Sequence, residues 1–151
     1  MALRKILTEP NDILRKKSLK VEKVDKEIQK LMDDMLETMY AAPGIGLAAI
    51  QVGIAKRIIV LDIAAKDEKK NPMYFINPEI IDKSKNFSAY EEGCLSVPGQ
   101  FAEIHRPDKC HIKYLDYYGQ PLELKTEGML ATCIQHEIDH LEGILFIDYL
   151  S

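Results

Sequence analysis

The sequence is poor in cysteine: it has three, at Cys94, Cys110 and Cys133, an odd number and widely spaced. Such a set makes no disulfide framework and fits a reducing compartment. Long apolar runs are missing too. The opening Met1-Ala2-Leu3-Arg4-Lys5-Ile6-Leu7 lacks the apolar segment of a secretory leader, and no later run approaches membrane-spanning length. A soluble, cytoplasmic protein with no membrane partner is therefore expected. Positive charge is not in excess either: the formal net charge is -4 at pH 7, with acidic and basic residues interspersed. Without a basic stripe, no direct grip on nucleic acid is expected. The chain also has no repeat or low-complexity segment. At 151 residues it can bury a substantial core without staples, so residues 1–151 are expected to form a single domain.

The most informative stretch that is present lies near the C-terminus, Gln135-His136-Glu137-Ile138-Asp139-His140-Leu141-Glu142-Gly143. From Met129 through Leu130, Cys133, Ile134, His136, Glu137, His140 and Leu141 the spacing is mostly three and four. That pattern predicts a helix, with Gly143 placed as its left-handed C-cap. On such a helix His136 and His140 share a face and can grip one metal ion, while Glu137 is offset by about 100°. The offset suits a carboxylate that reaches water at the metal without ligating the ion, the general-base role of an HExxH motif. The bland alternative is an amphipathic core helix whose histidines happen to share its buried face. The intervening Glu137 and the apolar surround favour the metal.

A catalytic site of this type wants three protein ligands and an open position. Phe146 stands where a metzincin carries its third His, and a thermolysin-type site needs an acidic ligand on a later helix, for which the eleven residues after His140 offer Asp148 and the chain end. An ordinary HExxH metallopeptidase is thereby disfavoured. The third ligand is expected upstream.

Residues 1–24 read as an extended arm with a turn near Pro10-Asn11-Asp12, carrying no chemistry. Asp25 is the candidate N-cap of an amphipathic helix in which Ile28, Leu31, Met32, Met35, Leu36 and Met39 recur at helical spacing, and which Pro43-Gly44 ends. Its Met stripe is read as core rather than as an adaptable binding face. Residues 57–63 read as a buried strand, 66–70 as a solvated loop, 73–76 as a strand, and Asn77-Pro78 and 82–86 as turns. Strands at 109–116 and 121–126 flank Tyr117-Tyr118-Gly119-Gln120 as a hairpin, and 144–150 is expected to pack back as a terminal strand. The order predicts an α+β fold: largely antiparallel sheets around a central metal-binding HExxH helix, with an N-terminal amphipathic helix.

Two further stretches carry chemistry. In Gly44-Ile45-Gly46-Leu47-Ala48-Ala49-Ile50-Gln51 the small residues let another backbone approach, which suits a substrate peptide lying alongside. A bend before a strand would use the same residues. A dinucleotide fingerprint is excluded, because Ala49 falls where Gly is required and a helix precedes where a strand is needed. Gln51, polar in an apolar segment, must be hydrogen-bonded if buried, and could either pin a turn or polarise a substrate carbonyl.

In Tyr90-Glu91-Glu92-Gly93-Cys94-Leu95-Ser96-Val97-Pro98-Gly99, Cys94 lies between Gly93 and a Pro-Gly turn, a setting that can present a thiolate. It would complete a Cys/His/His site with one open position, although a buried structural cysteine is the common alternative. Cys133, three residues before His136 on the same helix, would strain to join both histidines. Cys110 falls in an alternating strand and reads as inward packing. Spacing favours Cys94 without deciding the matter.

Together the three stretches resemble the peptide deformylase family. Residues 44–51 match its first motif, Glu92-Gly93-Cys94-Leu95-Ser96 its second and Gln135 to His140 its third, in family order and across nearly the whole chain. The resemblance implies hydrolytic removal of the N-formyl group from formylmethionine at the start of newly made polypeptides, with release of formate. It implies that Cys94, His136 and His140 bind one divalent metal, Fe2+ in the native state with Zn2+, Ni2+ or Co2+ as possible substitutes. Glu137 would be the general acid/base, and Gln51 and the Leu95 amide would receive the developing oxyanion. Ile45, Gly46 and Gly93 would lie beside the substrate backbone, Met129 and Cys133 beside its Met side chain. An ion pair of Glu92 with Arg106 would brace the metal loop.

The implied partner is an N-formylmethionyl nascent peptide, in the cytosol of a bacterium or a phage-infected cell, or in an organelle. There are two departures from the pattern. Phe101 stands where some bacterial members carry an Arg near the substrate backbone. The ending Asp148-Tyr149-Leu150-Ser151 resembles compact phage-encoded members rather than those with a C-terminal helix associated with ribosome binding, so direct ribosome docking is not expected. A catalytically silent peptide-binding metalloprotein is the competing reading from another class. Glu137, Gln51 and an open coordination position argue against it.

Overall fold

The computed structural model of the chain describes residues 2–64 and 67–150. Helix α1 (Lys26–Ala41) starts where Asp25 accepts the Ile28 amide at 3.0 Å, the expected cap. Ile28, Leu31, Met32, Met35 and Met39 are buried along one side, so the Met stripe is core, as expected. The Gly44 amide closes the helix end by donating to the Met39 carbonyl at 2.7 Å.

Seven strands follow: β1 (Gly46–Ala48), β2 (Ile58–Leu61), β3 (Met73–Lys83), β4 (Phe87–Cys94), β5 (Val97–Pro107), β6 (Lys109–Leu115) and β7 (Pro121–Glu127). Helix α2 (Gly128–Leu141) carries the His-Glu motif. Five strands form one sheet in the order β1-β2-β3-β6-β7, every neighbouring pair antiparallel; β4 and β5 form a separate antiparallel ribbon. The architecture is the expected α+β fold.

Strand alternation explains why β2 reads as an unbroken apolar run. Ile58 and Val60 join Leu47 and Ile76 in the core against α1, whereas Ile59 and Leu61 join Ala48, Phe75 and Ile112 against Ile134, Ile138 and Leu141 of α2. The sheet is thus covered by one helix on each face. A third apolar cluster, Val97, Ile104, Leu145 and Phe146, ties the ribbon to the C-terminal segment.

Several local expectations are corrected. Asn77-Pro78 is not a turn but a bulge within β3: the β3–β6 register shifts between Ile76 and Glu79, and Asn77 has φ 53. Its side chain accepts the Val21 amide at 2.7 Å and donates to the Val21 carbonyl at 2.8 Å, bonds that hold this backbone shape. The chain reverses at Leu95-Ser96 rather than at Pro98-Gly99, which lie inside β5. Residues 144–150 form no strand. Phe146–Tyr149 is a 3-10 turn, closed where Asp148 accepts the Leu145 amide at 3.0 Å and anchored by buried Phe146. Of the loop expected at 66–70, Lys66 lies outside the described residues, and Lys70 stands 4.3 Å over the Tyr40 ring.

Candidate metal centre

The α2 helix brings His136 and His140 together, ring centroids 5.1 Å apart and both side chains buried. Cys94 arrives from the end of β4. One ligand atom from each of Cys94, His136 and His140 lies within 4.8 Å of the others, with Cys94 Sγ 3.3 Å from His140 Nε2. The edge of a tetrahedral site with N and S ligands is about 3.5 Å long, so the spacing suits one ion. The donor set fits as well. His136 Nδ1 donates to Glu92 Oε1 at 2.9 Å, which leaves its Nε2 lone pair free for a metal.

Electrostatics point the same way. Burial lowers the His136 pKa, but Cys94 and Glu92 outweigh it and raise the group to about 10, so the pocket favours positive charge at His136 Nε2, which a metal cation would supply in place of a proton. Burial and the neighbouring His136 hold His140 well below its ordinary value, a neutral imidazole fit to ligate. The rival cysteines drop out. Cys110 lies 3.0 Å from Thr126 Oγ1 in the core, and burial with the Glu137 charge pushes the Cys133 thiol up to about 12. Asp148 is engaged by Arg15 at 2.5 Å, and the Phe146 ring stacks on His136 with centroids 6.0 Å apart.

Glu137 is buried beside these ligands, and its Oε1 has no hydrogen-bond partner among the described residues. Burial raises its carboxyl to about 7 against the opposing pull of His136. Its other oxygen explains Gly46: a Cβ there would stand 2.6 Å from Glu137 Oε2. At Gly93 a Cβ would meet the Phe101 ring at 2.6 Å, an exposed side chain that can move aside. Gln51 serves the local turn, its Oε1 accepting the Ala48 amide at 2.9 Å. Its Nε2 donates to Ser96 Oγ at 3.0 Å and lies 3.6 Å from Cys94 Sγ.

The β4–β5 register, which pairs Ser88 with Arg106 and Glu92 with Ala102, puts Glu92 and Arg106 on the same face of the ribbon. Arg106 donates from Nε and Nη2 to the Glu92 carboxylate at 2.7 and 3.0 Å. Burial raises the Glu92 pKa, yet His136 and Arg106 outweigh it and hold the carboxyl below its usual range.

A cleft of about 610 Å³ opens over this cluster. Ile45, Gly46, Gly93, Met129 and Cys133, all expected beside substrate, line it together with Leu95 and Glu137. Gln51 and Arg106 stand behind its wall. Sequence reasoning missed Ile6, Tyr90 and Thr132, which also line it. It also treated the N-terminal arm as idle, whereas the Leu7 and Glu9 amides donate to the carbonyls of Gln51 and Ser96, both at 2.7 Å. Backbone bonds of that kind leave no mark in residue types.

An α+β frame carrying a three-ligand Cys/His/His cluster, with a buried carboxylate beside it in an apolar cleft, defines a metal-dependent hydrolase. Residues 3–151 match the family model described as polypeptide deformylase. A peptide deformylase of Pelagibacter ubique is 64% identical over 151 residues, covering 100% of this chain and 88% of that one. One from Maricaulis maris is 61% identical, covering 100% and 87%. The crystal structure of peptide deformylase from Ehrlichia chaffeensis in complex with actinonin superposes with a TM-score of 0.95 at 48% identity, covering 100% of this chain and 90% of that one. The chain belongs to the peptide deformylase family, hydrolases that remove the N-formyl group from new polypeptides.

Proposed function

We propose that residues 1–151 act as one catalytic domain that hydrolyses the formyl amide of N-formylmethionyl peptides in the cytoplasm, releasing formate. The observation that carries this reading is the buried Glu137 carboxylate, one oxygen unpartnered among the described residues, beside Cys94, His136 and His140 in the cleft. A divalent ion held by those three residues, Fe2+ in the native state with Zn2+, Ni2+ or Co2+ able to replace it, would acidify water and polarise the formyl oxygen.

The chain's own residues do the rest. Glu137 takes the proton of the attacking water and passes one to the leaving amine, a transfer favoured by a carboxyl poised near neutrality. The Leu95 amide and Gln51 Nε2 are neutral donors placed at the Cys94 turn, where they stabilise negative charge on the formyl oxygen. Gln51 Nε2 also donates to Ser96 Oγ at 3.0 Å and to Cys94 Sγ at 3.6 Å, bonds that hold the amide beside the Cys94 turn. Gly46 and Gly93 let the substrate backbone approach, and the apolar wall at Ile45, Met129 and Cys133 takes the Met side chain.

The test is a product analysis on formyl-Met-Ala-Ser. Formate with intact Met-Ala-Ser supports the deformylase. Cleavage of the Met-Ala bond, or of unformylated peptide at a comparable rate, would show a peptidase instead.

A further inference from the structure

Arg106 is held from two sides. Towards the metal ligands it grips Glu92, whose Oε1 also accepts His136 Nδ1. On the far side Arg106 Nη1 donates to Asp139 Oδ2 at 2.8 Å, the same oxygen that accepts the Tyr149 hydroxyl at 2.7 Å. The Tyr149 ring faces the guanidinium, with Arg106 Cζ 4.9 Å from its centroid. The linked groups come from β4, β5, α2 and the C-terminal 3-10 turn, so the chain of bonds ties three other elements to the helix that carries the imidazole.

Orienting His136 needs only Glu92; the outer carboxylate and hydroxyl need another reason. A guanidinium satisfied by Glu92 alone would draw that carboxylate's charge towards itself and weaken its hold on the His136 N–H. Asp139 shares the guanidinium between two carboxylates, and its fork geometry serves both at once. Tyr149 fixes Asp139 in the rotamer that does this, and its ring packs against the cation. The Asp139 side chain is 19% exposed, so without the hydroxyl it could turn to water.

We infer that Asp139 and Tyr149 are positioning residues of the metal centre, acting through Arg106 and Glu92 to set the orientation and basicity of His136. The inference rests on the reading of Cys94, His136 and His140 as ligands. Partners that orient a metal-bound His typically change metal affinity tenfold to a hundredfold, and groups one step further out act more weakly.

The test uses the full chain loaded with Co2+. Affinity is measured by competition with a chelator, and the visible spectrum reports ligand geometry. Asp139→Ala is expected to weaken Co2+ binding by about tenfold and Tyr149→Phe by about threefold, both with shifted ligand-field bands. The double variant should bind no more weakly than Asp139→Ala, because the hydroxyl then has nothing to orient. Wild-type affinity and spectra in both single variants would overturn the inference, as would independent, additive losses with unchanged spectra. Absence of a thiolate-to-cobalt band in the wild-type chain would instead overturn the ligand assignment beneath it.

Discussion

Glu137 is held with one carboxylate oxygen against Gly46 and the other without a partner among the described residues, an arrangement that costs stability unless a reacting molecule uses it. It offers no structural service that Ala would lose. Glu137→Ala is therefore expected to keep the metal and the fold while lowering turnover on the order of 10³-fold. Metal content and kcat on one sample check this, and activity near wild type would remove Glu137 from its role. At this scale the sequence was most legible where ligands are neighbours on a helix: the His136, Glu137 and His140 spacing needs only a 3.6-residue period. Cys94 was favoured over Cys110 and Cys133 only modestly on that basis, since its selection depends on where a ribbon end meets a helix. The resemblance to known deformylases picked it, and its ligand atom lies within 4.8 Å of those of His136 and His140.

Among the elements, the arm before α1 has more work than its sequence suggests. Its amides hold the backbones of Gln51 and Ser96, and its own anchor is the Arg4–Asp34 ion pair at 3.0 Å. Burial raises the Asp34 pKa, but the Ala2 amide and Arg4 outweigh it and keep the carboxyl below its ordinary value. A depressed carboxyl contributes stability above its unfolded pKa and loses it as pH falls through the folded one. Asp34→Asn should thus be destabilised at neutral pH, with the gap to wild type closing in acid below the usual Asp range. Urea midpoints across pH 2 to 7, roughly the span that brackets carboxylate titration, check it. A gap that stayed constant with pH would show that the charge is not what matters. The β4–β5 ribbon was poorly legible for a different reason: most of β5 before Ile104 is exposed, so alternation shows no buried face to read.

For the whole molecule, the helices and hairpin order sufficed to predict an α+β fold, but not that the sheet would be covered by α1 on one face and α2 on the other. That sandwich depends on pairings between distant strands, such as β3 with β6, which no local pattern encodes. It has a consequence for the metal. Cys94 lies on the ribbon and the histidines on α2, so a bound ion adds a staple between two elements already joined by the Glu92–Arg106 network and by the Gln135 bond to the Pro107 carbonyl. Ligand binding to the folded state alone adds about 4 kcal/mol at a thousandfold excess over Kd. Chelation should lower the unfolding temperature of the wild-type chain and leave that of Cys94→Ser nearly unchanged; an equal drop in both would place the stabilising ion elsewhere.

The most direct test of the account is formate release from formyl-Met-Ala-Ser by anaerobically purified protein, with metal quantified on the same sample. Turnover that rises in proportion to occupancy up to one metal per chain, and disappears on chelation, is the predicted result. A metal-replete sample that releases no formate would contradict it, leaving a deformylase fold without deformylase chemistry.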